Sequence, residues 1–228
     1  MKKPMIIAID GPVGVGKSTV AREIARRLGY FHLDTGSMYR SVTLMAMRQG
    51  IALHDEAALT TLAADIAIDL IDGEQGLVVL CNGQDVSREI RSPEVSTNTS
   101  PVSDVRGVRE HMVSRQRAIA RKHGSVVAEG RDMSSVVFPD APWKIYLDAN
   151  VRERAERRFM QMKRTSSSPP PDFDSILHSL IIRDERDRRR PYGPLCVAAD
   201  ALIVDTSMIP QERVITIIIG IIKPACLR

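Results

Sequence analysis

Apolar residues along the chain fall into two alternating kinds of run. Five short β-branched or apolar runs end in turn-forming or polar residues: Met5 to Ile9, Tyr30 to Leu33, Ser125 to Ala128, Lys144 to Leu147 and Leu202 to Val204. Between most of them lie segments with helical spacing, an alternation that predicts an α/β fold with a five-stranded parallel sheet and helices on both faces. Asp69 to Val86 breaks the pattern. There Leu77-Val78-Val79-Leu80 reads as one strand and Gly73, Gly76 and Gly83 mark turns, which predicts an inserted antiparallel lobe. Farther on, an arginine-rich helix starting near Val151 and another starting near Asp172 are separated by Thr165 to Pro171, TSSSPPP. Serine and proline runs favour loops, and this one is expected to tip a helical lid. The apolar run Val214 to Ile222 has about half the length that a bilayer core requires, so it is read as the packed face of a last helix.

Composition narrows the class. With 228 residues, 43% hydrophobic and 26% charged, the chain can bury a core of its own. Cys81, Cys196 and Cys226 show neither paired nor metal-ligand spacing, which argues against a secreted disulfide framework and for a cytoplasmic protein. The opening MKKPMIIAID runs straight into a glycine-rich turn with no small-residue cleavage site, and is read as a buried first strand. A net charge of +4 would permit nucleic-acid binding, but aromatics make up only 4% and there is no basic tail. Neither a polymer nor a membrane is expected as a partner, and a monomer is.

The sharpest local signal is Gly11-Pro12-Val13-Gly14-Val15-Gly16-Lys17-Ser18, which satisfies G-x-x-x-x-G-K-[ST] between a predicted strand and a helical pattern over Thr19 to Leu28. In such a loop the glycines let backbone N–H groups turn inward around an anion, and the helix N-terminus adds the positive end of its dipole. Lys17 would reach the β- and γ-phosphates of ATP, and Ser18 would ligate Mg²⁺. GTPases, motor ATPases and small-molecule kinases share this loop, so it identifies the donor and leaves the acceptor open. A guanine-reading N-K-x-D motif is absent, and Asp34-Thr35-Gly36 has the wrong spacing for a GTPase switch.

Further motifs specify the acceptor. Leu33-Asp34-Thr35-Gly36-Ser37-Met38-Tyr39-Arg40, Glu129-Gly130-Arg131-Asp132-Met133, Val136-Val137-Phe138-Pro139 and Arg183-Asp184-Glu185-Arg186-Asp187-Arg188 occur in this order. Read for themselves, Arg40 lies on a helix after the D-T-G turn, and Arg131 follows a strand at the carboxyl edge of the sheet, where open α/β folds bind ligands. Arg183, Asp187 and Arg190 are spaced to share one helical face, a pattern that suits an exposed ion-pair ladder as well as a site. Together the motifs resemble the bacterial cytidylate kinases over nearly the whole chain, and the hairpin lobe resembles that family's extra segment.

The resemblance implies transfer of the γ-phosphoryl group of ATP to CMP or dCMP by a P-loop kinase core with a helical lid. It assigns Thr35, Tyr39, Arg40 and Arg131 to the acceptor, with Thr35 and the two arginines on its phosphate. Arg183 and Asp187 match ribose contacts, and Arg190 a lid residue that touches the phosphates. Asp132 matches the residue that accepts from the exocyclic amine of cytosine, while Ser100 and Arg109 match residues facing the rest of the base edge. Lys17, Arg131 and Arg190 are then the expected catalytic residues, with Gly11 to Thr19 holding ATP. Arg154 and Arg158, four apart on the first lid helix, could close over ATP, and Arg157 could serve instead. Glu129 ends a buried strand and is a candidate to hold Mg²⁺ through water; a loop-bonding carboxylate is the other reading. The expected division is a core of residues 1–34, 123–150 and 191–228, an acceptor region of 35–122 and a lid of 151–190. A uridylate, thymidylate or shikimate-type kinase and, from another class, a nucleotide-dependent switch or binding module are the competing readings.

Overall fold

The computed structural model describes residues 5–73, 76–165 and 171–226. Its strands are β1 (Ile6–Asp10), β2 (Phe31–Asp34), β3 (Ile68–Gly73), β4 (Gly76–Cys81), β5 (Gln84–Asp85), β6 (Val126–Gly130), β7 (Trp143–Asp148) and β8 (Leu202–Asp205). Helices α1 (Lys17–Leu28), α2 (Thr35–Arg48), α3 (Glu56–Asp65), α4 (Pro93–Asp104), α5 (Arg106–His123), α6 (Val151–Thr165), α7 (Phe173–Arg189) and α8 (Gln211–Cys226) surround them. All five apolar runs become strands of one parallel sheet in the order β2-β6-β1-β7-β8. The central strand explains why its sequence is an unbroken apolar run: Ile7, Ala8 and Ile9 are each 0% exposed, covered on both faces. One face packs Ile7, Ile9 and Val127 against α1 and α8 through Val20, Ile24, Val214 and Ile218. The opposite face packs Ala8, Leu33 and Ala128 against α2 and α5 through Met38, Val42, Val108 and Met112.

The inserted lobe is a three-stranded antiparallel sheet, β3-β4-β5, rather than a two-stranded hairpin. The third strand is only Gln84–Asp85, paired to Cys81 and Leu80 through the turn at Asn82-Gly83. Two residues carry too little pattern to be recognised before the turn brings them alongside β4. Lid helices α6 and α7 begin where the sequence places them, and Asp172 caps α7 by accepting from Ser175 N at 2.9 Å. Residues 166–170 of the expected lid loop lie outside the described residues. Ala155, Ile176 and Leu180 form a small core between the two helices, and Val13 of the glycine loop packs against it, so the lid rests on the loop. Among the described residues no helix is long and apolar enough to cross a membrane. In α8 the apolar positions Val214, Ile215, Ile218, Ile219 and Ile222 are buried as one face.

Strand β1 leads through α1 to β2 on one side of the sheet, whereas its neighbour β7 leads to β8 on the other. The crevice opened by this reversal lies at the carboxyl ends of β1 and β7, the place where an open α/β sheet admits a ligand. Residues 11–18 occupy it.

Candidate active site

Gly11 turns the chain out of β1 so close to β7 that a Cβ there would lie 2.2 Å from Leu147 O. Only glycine fits, and the following backbone is therefore free to curl around an anion at the start of α1. Lys17 is the first residue of that helix. Its Nζ donates to Gly11 O at 2.8 Å and Pro12 O at 2.7 Å, so the ammonium is folded over the loop's own rim. Burial, and after it the nearby Arg131 guanidinium, hold Lys17 well below the ordinary lysine pKa. Ser18, one residue on, is exposed.

On the acceptor side, the Asp34-Thr35-Gly36 segment is the first turn of α2 itself, not a turn ahead of it. Asp34 is the N-cap, accepting from Ser37 N at 2.9 Å, and its other oxygen accepts from Ser37 Oγ at 2.5 Å. Burial disfavours the Asp34 carboxylate, but Arg40 and the Ser37 bonds outweigh it and keep its pKa below the ordinary value. Arg40 donates to Asp34 Oδ2 at 3.2 Å and Ser37 Oγ at 3.0 Å, leaving its buried Nε unpartnered. Thr35 spends its hydroxyl proton on Glu129 O at 2.6 Å, a bond that staples α2 to the end of β6. As placed here the hydroxyl has no proton to give a phosphate.

Arg131 and Arg183 come from opposite walls and meet. Arg131 Nε donates to Asp187 Oδ2 at 2.7 Å. Burial opposes the charge on both partners, yet each holds the other ionised, and Arg131 titrates above and Asp187 below its usual range. Arg183, one turn before Asp187 on α7, has a buried Nε with no hydrogen-bond partner. Its pKa is pushed down to about 10, first by burial and then by Arg131, with Arg40 and Arg158 adding to the repulsion. Four guanidinium groups from α2, the end of β6, α6 and α7 thus gather around Arg183, with Arg131 also beside Lys17, and of the four only Arg40 and Arg131 are ion-paired, with Asp34 and Asp187. Uncompensated buried cations are costly, so such a cluster marks a place where an anion belongs.

Beside the cluster lies a second, charge-neutral compartment. Arg109 and Asp132, 1% and 2% exposed, are paired through Arg109 Nη2 and Asp132 Oδ2, and Arg109 Nη1 also donates to Ser103 O at 3.0 Å. The guanidinium carbon stands 5.3 Å from the centre of the Tyr39 ring, a cation–π distance. Tyr39 is deeply buried, which pushes its phenol up to about 12 and keeps it neutral. Gly193, at φ +62°, closes over the pair, and a Cβ at this position would come within 2.4 Å of Asp132 Oδ2. Arg190 ends α7 and folds back, donating from Nε to Tyr192 O at 3.1 Å and Gly193 O at 3.0 Å. Its Nη1 lies 4.0 Å from Asp187 Oδ1, so Arg190 borders both compartments. Ser100 sits on α4, half-buried, where its carbonyl accepts from Ser103 Oγ at 2.9 Å.

The structure separates the lid arginines. Arg154 is 4% exposed and fully engaged, with Asp184 Oδ2 at 2.7 Å, Ala149 O at 3.0 Å and Val13 O at 3.0 Å. It braces the lid on the glycine loop instead of reaching into the crevice. Arg157 is equally committed, donating to Thr206 Oγ1 at 3.2 Å and Ser207 O at 3.1 Å. Among the described residues Arg158 makes a single hydrogen bond, to Gln161 at 3.2 Å, and it repels Arg183, with its own pKa lowered by burial. All three lie on one helix, and only the tertiary neighbours distinguish them.

Glu129 Oε1 is buried and unpartnered at the end of β6, with His32 Nε2 3.6 Å away. A lone carboxylate oxygen at this edge and the exposed Ser18 hydroxyl are the hard oxygen donors that Mg²⁺ takes when phosphates and water complete its shell. Among the described residues no cluster of three acidic, His or Cys side chains could hold a metal by itself. The residues therefore fit a metal that arrives with a nucleotide. Sequence reasoning passed over Asp10, which is 1% exposed at the end of β1 and accepts from Met133 N and Ser134 N, each at 2.8 Å. Its only signal was a carboxylate closing a buried apolar strand.

The family model described as cytidylate kinase matches residues 7–224. A cytidylate kinase of Geobacillus sp. (strain WCH70) is 44% identical over 223 residues, covering 98% of each chain. One of Pelotomaculum thermopropionicum is 46% identical over 215 residues, covering 94% of each. Among solved structures, an uncharacterized protein from Eubacterium ventriosum superposes with a TM-score of 0.51 at 15% identity, covering 97% of this chain and 99% of that one. That last likeness concerns the fold alone.

Proposed function

This chain belongs to the cytidylate kinase family, and from that premise we propose that it transfers the γ-phosphoryl group of ATP to CMP or dCMP in the crevice between residues 11–18 and the arginine cluster. The observation that supports this reading best is the gathering of Arg40, Arg131 and Arg158 around Arg183, with Arg131 also beside Lys17 and Arg183 Nε unpartnered. An acceptor monophosphate placed there supplies the missing negative charge.

In this reading the phosphate of the acceptor needs no base. A phosphate monoester loses its second proton near pH 6, so at neutral pH it is already a dianion and a nucleophile. The protein aligns it in line with the γ-phosphorus and neutralises charge on the moving group, the two tasks that dominate phosphoryl transfer. Backbone N–H groups of residues 13–18 and Thr19 at the head of α1 take the donor phosphates, and Lys17 leaves its carbonyl rests for them. Arg131 grips the acceptor phosphate, with Arg40 behind it and Arg190 at the border with the base; Arg183, which the resemblance puts at the ribose, is assigned to the phosphate instead, because its Nε is unpartnered and it is repelled by Arg131. Asp187, held by Arg131 through Oδ2, offers the ribose its other oxygen, which lies 4.0 Å from Arg190 Nη1. The reading gives Arg158 the lid contact to ATP that Arg154 and Arg157 cannot make without leaving their partners. Ser18 and, through water, Glu129 are the residues that would hold Mg²⁺, which would supply further neutralisation of the donor phosphates. The division into core, acceptor region and lid given above follows the same assignment. A monomer and a cytoplasmic location belong to the same reading, and free thiols at Cys81 and Cys196 agree with the latter.

Cytosine is chosen in the neutral compartment. Arg109 occupies Asp132 Oδ2, so Oδ1 is the oxygen that accepts from the exocyclic amine, where uracil presents a carbonyl. Tyr39 stands beneath Arg109, and Ser100 approaches the base from α4. Asp132→Asn keeps the size but turns one acceptor into a donor, and so accommodates uracil. The expected result is a fall of five- to 150-fold in the ratio of kcat/KM for CMP over UMP, the equivalent of about 1–3 kcal/mol for a lost or mispaired buried hydrogen bond. Steady-state rates with both nucleotides give the ratio directly. An unchanged ratio would remove Asp132 from base reading, whatever happened to absolute rates, and a panel of monophosphates excludes the uridylate, thymidylate and switch readings at the same time.

A further inference from the structure

Asp10 stands between the two halves of the crevice and is claimed by neither. It is the last residue of β1, opposite Gly130 on β6 and Tyr146 on β7, and Gly11 of the donor loop follows it directly. Its two carboxylate oxygens accept separately, Oδ1 from Met133 N and Oδ2 from Ser134 N, both at 2.8 Å. The residues it captures lie immediately after Arg131 and Asp132 and open an irregular turn, Met133–Val137, in which Phe138 N reaches Met133 O at 2.7 Å. Such wide turns seldom hold their shape unaided. Among the described residues no arginine or lysine forms an ion pair with Asp10, and burial pushes its pKa up against the pull of the Ser134 side chain and the two N–H groups. A buried carboxylate that could have been an apolar residue is expensive unless its geometry matters.

We infer that Asp10 is a positioning residue that fixes the acceptor-reading segment 131–134 to the donor loop, and thereby sets the distance and angle between the two nucleotides. The path is short and stiff. Lys17 Nζ rests on Gly11 O, Gly11 is bonded to Asp10, and Asp10 holds the segment carrying Arg131 and Asp132 by two parallel hydrogen bonds. Strand β1 is the central, fully buried strand, so the bracket is anchored in the most rigid part of the sheet. Phosphoryl transfer requires the reacting atoms within about 3–3.5 Å in line, and a displacement of about 1 Å costs on the order of 100-fold. A carboxylate does this better than an amide, because both of its oxygens accept whereas asparagine would turn an N–H₂ toward one of the two N–H donors.

This inference rests on the assignment of Arg131 and Asp132 to the acceptor. The test is Asp10→Asn and Asp10→Ala, assayed with CMP and UMP, with binding of MgATP followed by calorimetry. Three changes are expected in Asp10→Asn: kcat falls about tenfold, KM for CMP rises several-fold, and the CMP/UMP ratio of kcat/KM shrinks at least threefold. The dissociation constant of MgATP should stay within about threefold. KM values and the ratio are independent of how much enzyme is correctly folded, so a loss of stability does not imitate them. If both Asp10 variants show wild-type KM values and an unchanged ratio, or if neither folds, the role is structural and the inference is overturned. Asp132→Asn assayed in parallel keeps the two ideas apart. A ratio that moves with Asp132 but not with Asp10 refutes the bracket alone. A ratio indifferent to Asp132 refutes the base-reading assignment, and the bracket then stands or falls on KM for CMP and kcat at constant MgATP affinity.

Discussion

Lys17→Ala should lower kcat by at least 100-fold and leave the unfolding temperature within a few degrees of the parent protein. In the free enzyme Nζ satisfies itself on Gly11 O and Pro12 O, inside a loop that would otherwise offer two bare carbonyls. Removing it relieves a buried cation whose pKa is already depressed by burial and by Arg131, and it loses two charge-assisted hydrogen bonds. Those terms have opposite signs, so the fold changes little. Catalysis has no such compensation, because charge moves onto the bridging and γ-phosphate oxygens during transfer and Lys17 is the cation that reaches them. A single preorganised donor of this type accounts for about 100- to 1,000-fold in rate, or roughly 2.7–4 kcal/mol. Single-turnover rates with saturating nucleotides measure it. Retention of more than about a tenth of the parent kcat, equivalent to about 1.4 kcal/mol, would take Lys17 out of the reaction.

Arg183→Met should do something less common, raising stability while destroying function. The guanidinium is held among Arg131, Arg40 and Arg158 with its Nε unpartnered, and its pKa falls from the ordinary arginine range to about 10. A displacement of that size corresponds to a penalty on the order of 3 kcal/mol on the charged form in the folded state. At pH 7 the group is charged in both folded and unfolded chains, so the full penalty is present. Above about pH 10 the unfolded chain still holds the proton that the folded one releases, and this group's destabilisation is relieved as pH rises from there toward the ordinary arginine range. Methionine keeps much of the stem and removes the charge. The unfolding temperature is therefore expected to stay level or rise by a few degrees, while kcat/KM for CMP falls by about 100-fold or more. A second readout follows from mass action: CMP should raise the unfolding temperature of the parent protein far more than that of the variant. A variant that is less stable and still active would show Arg183 to be an ordinary structural ion-pair member.

The two substitutions differ because the two cations were made idle in different ways. Lys17 has found substitutes for phosphate oxygens within its own loop, whereas Arg183 has none. The lid core of Ala155, Ile176 and Leu180 keeps α7 in place despite the repulsion, and Arg154 pins it further through Asp184. Binding energy from the acceptor phosphate is thus met by a site already assembled against its own electrostatics, which is the form of preorganisation that phosphoryl transfer uses.

Most features that depend on neighbours within about one helical turn were legible in the sequence, with the first turn of α2 at Asp34-Thr35-Gly36 and the two-residue strand β5 as exceptions. Period and length gave the five parallel strands to within a residue or two; the central β1 is covered on both faces and is therefore an apolar run, whereas the edge strand β8 leaves Leu202 and Ile203 exposed. The G-x-x-x-x-G-K-[ST] spacing placed the anion loop, since the glycines and the helix start are consecutive in the chain. The i, i+4 spacing put Arg183 and Asp187 on one face of α7. Pairings across the sheet were not legible. Arg154, Arg157 and Arg158 are alike in sequence, and only the positions of Asp184, Thr206 and Val13 decide which of them is already spent. Asp132 carried a base-reading expectation, but its pairing with Arg109 spans 23 residues and requires α5 to pack beside the end of β6. Thr35 was matched to a phosphate, and its proton goes instead to the carbonyl of Glu129, 94 residues away. Asp10 and Met133 are 123 residues apart and meet because β1 and β6 are neighbours in a sheet whose order is not the order of the chain. Local patterning is fixed by residues a few bonds apart, which a sequence displays; the partners of a buried charge are fixed by which strands and helices the hydrophobic core brings together, and that only the tertiary structure decides.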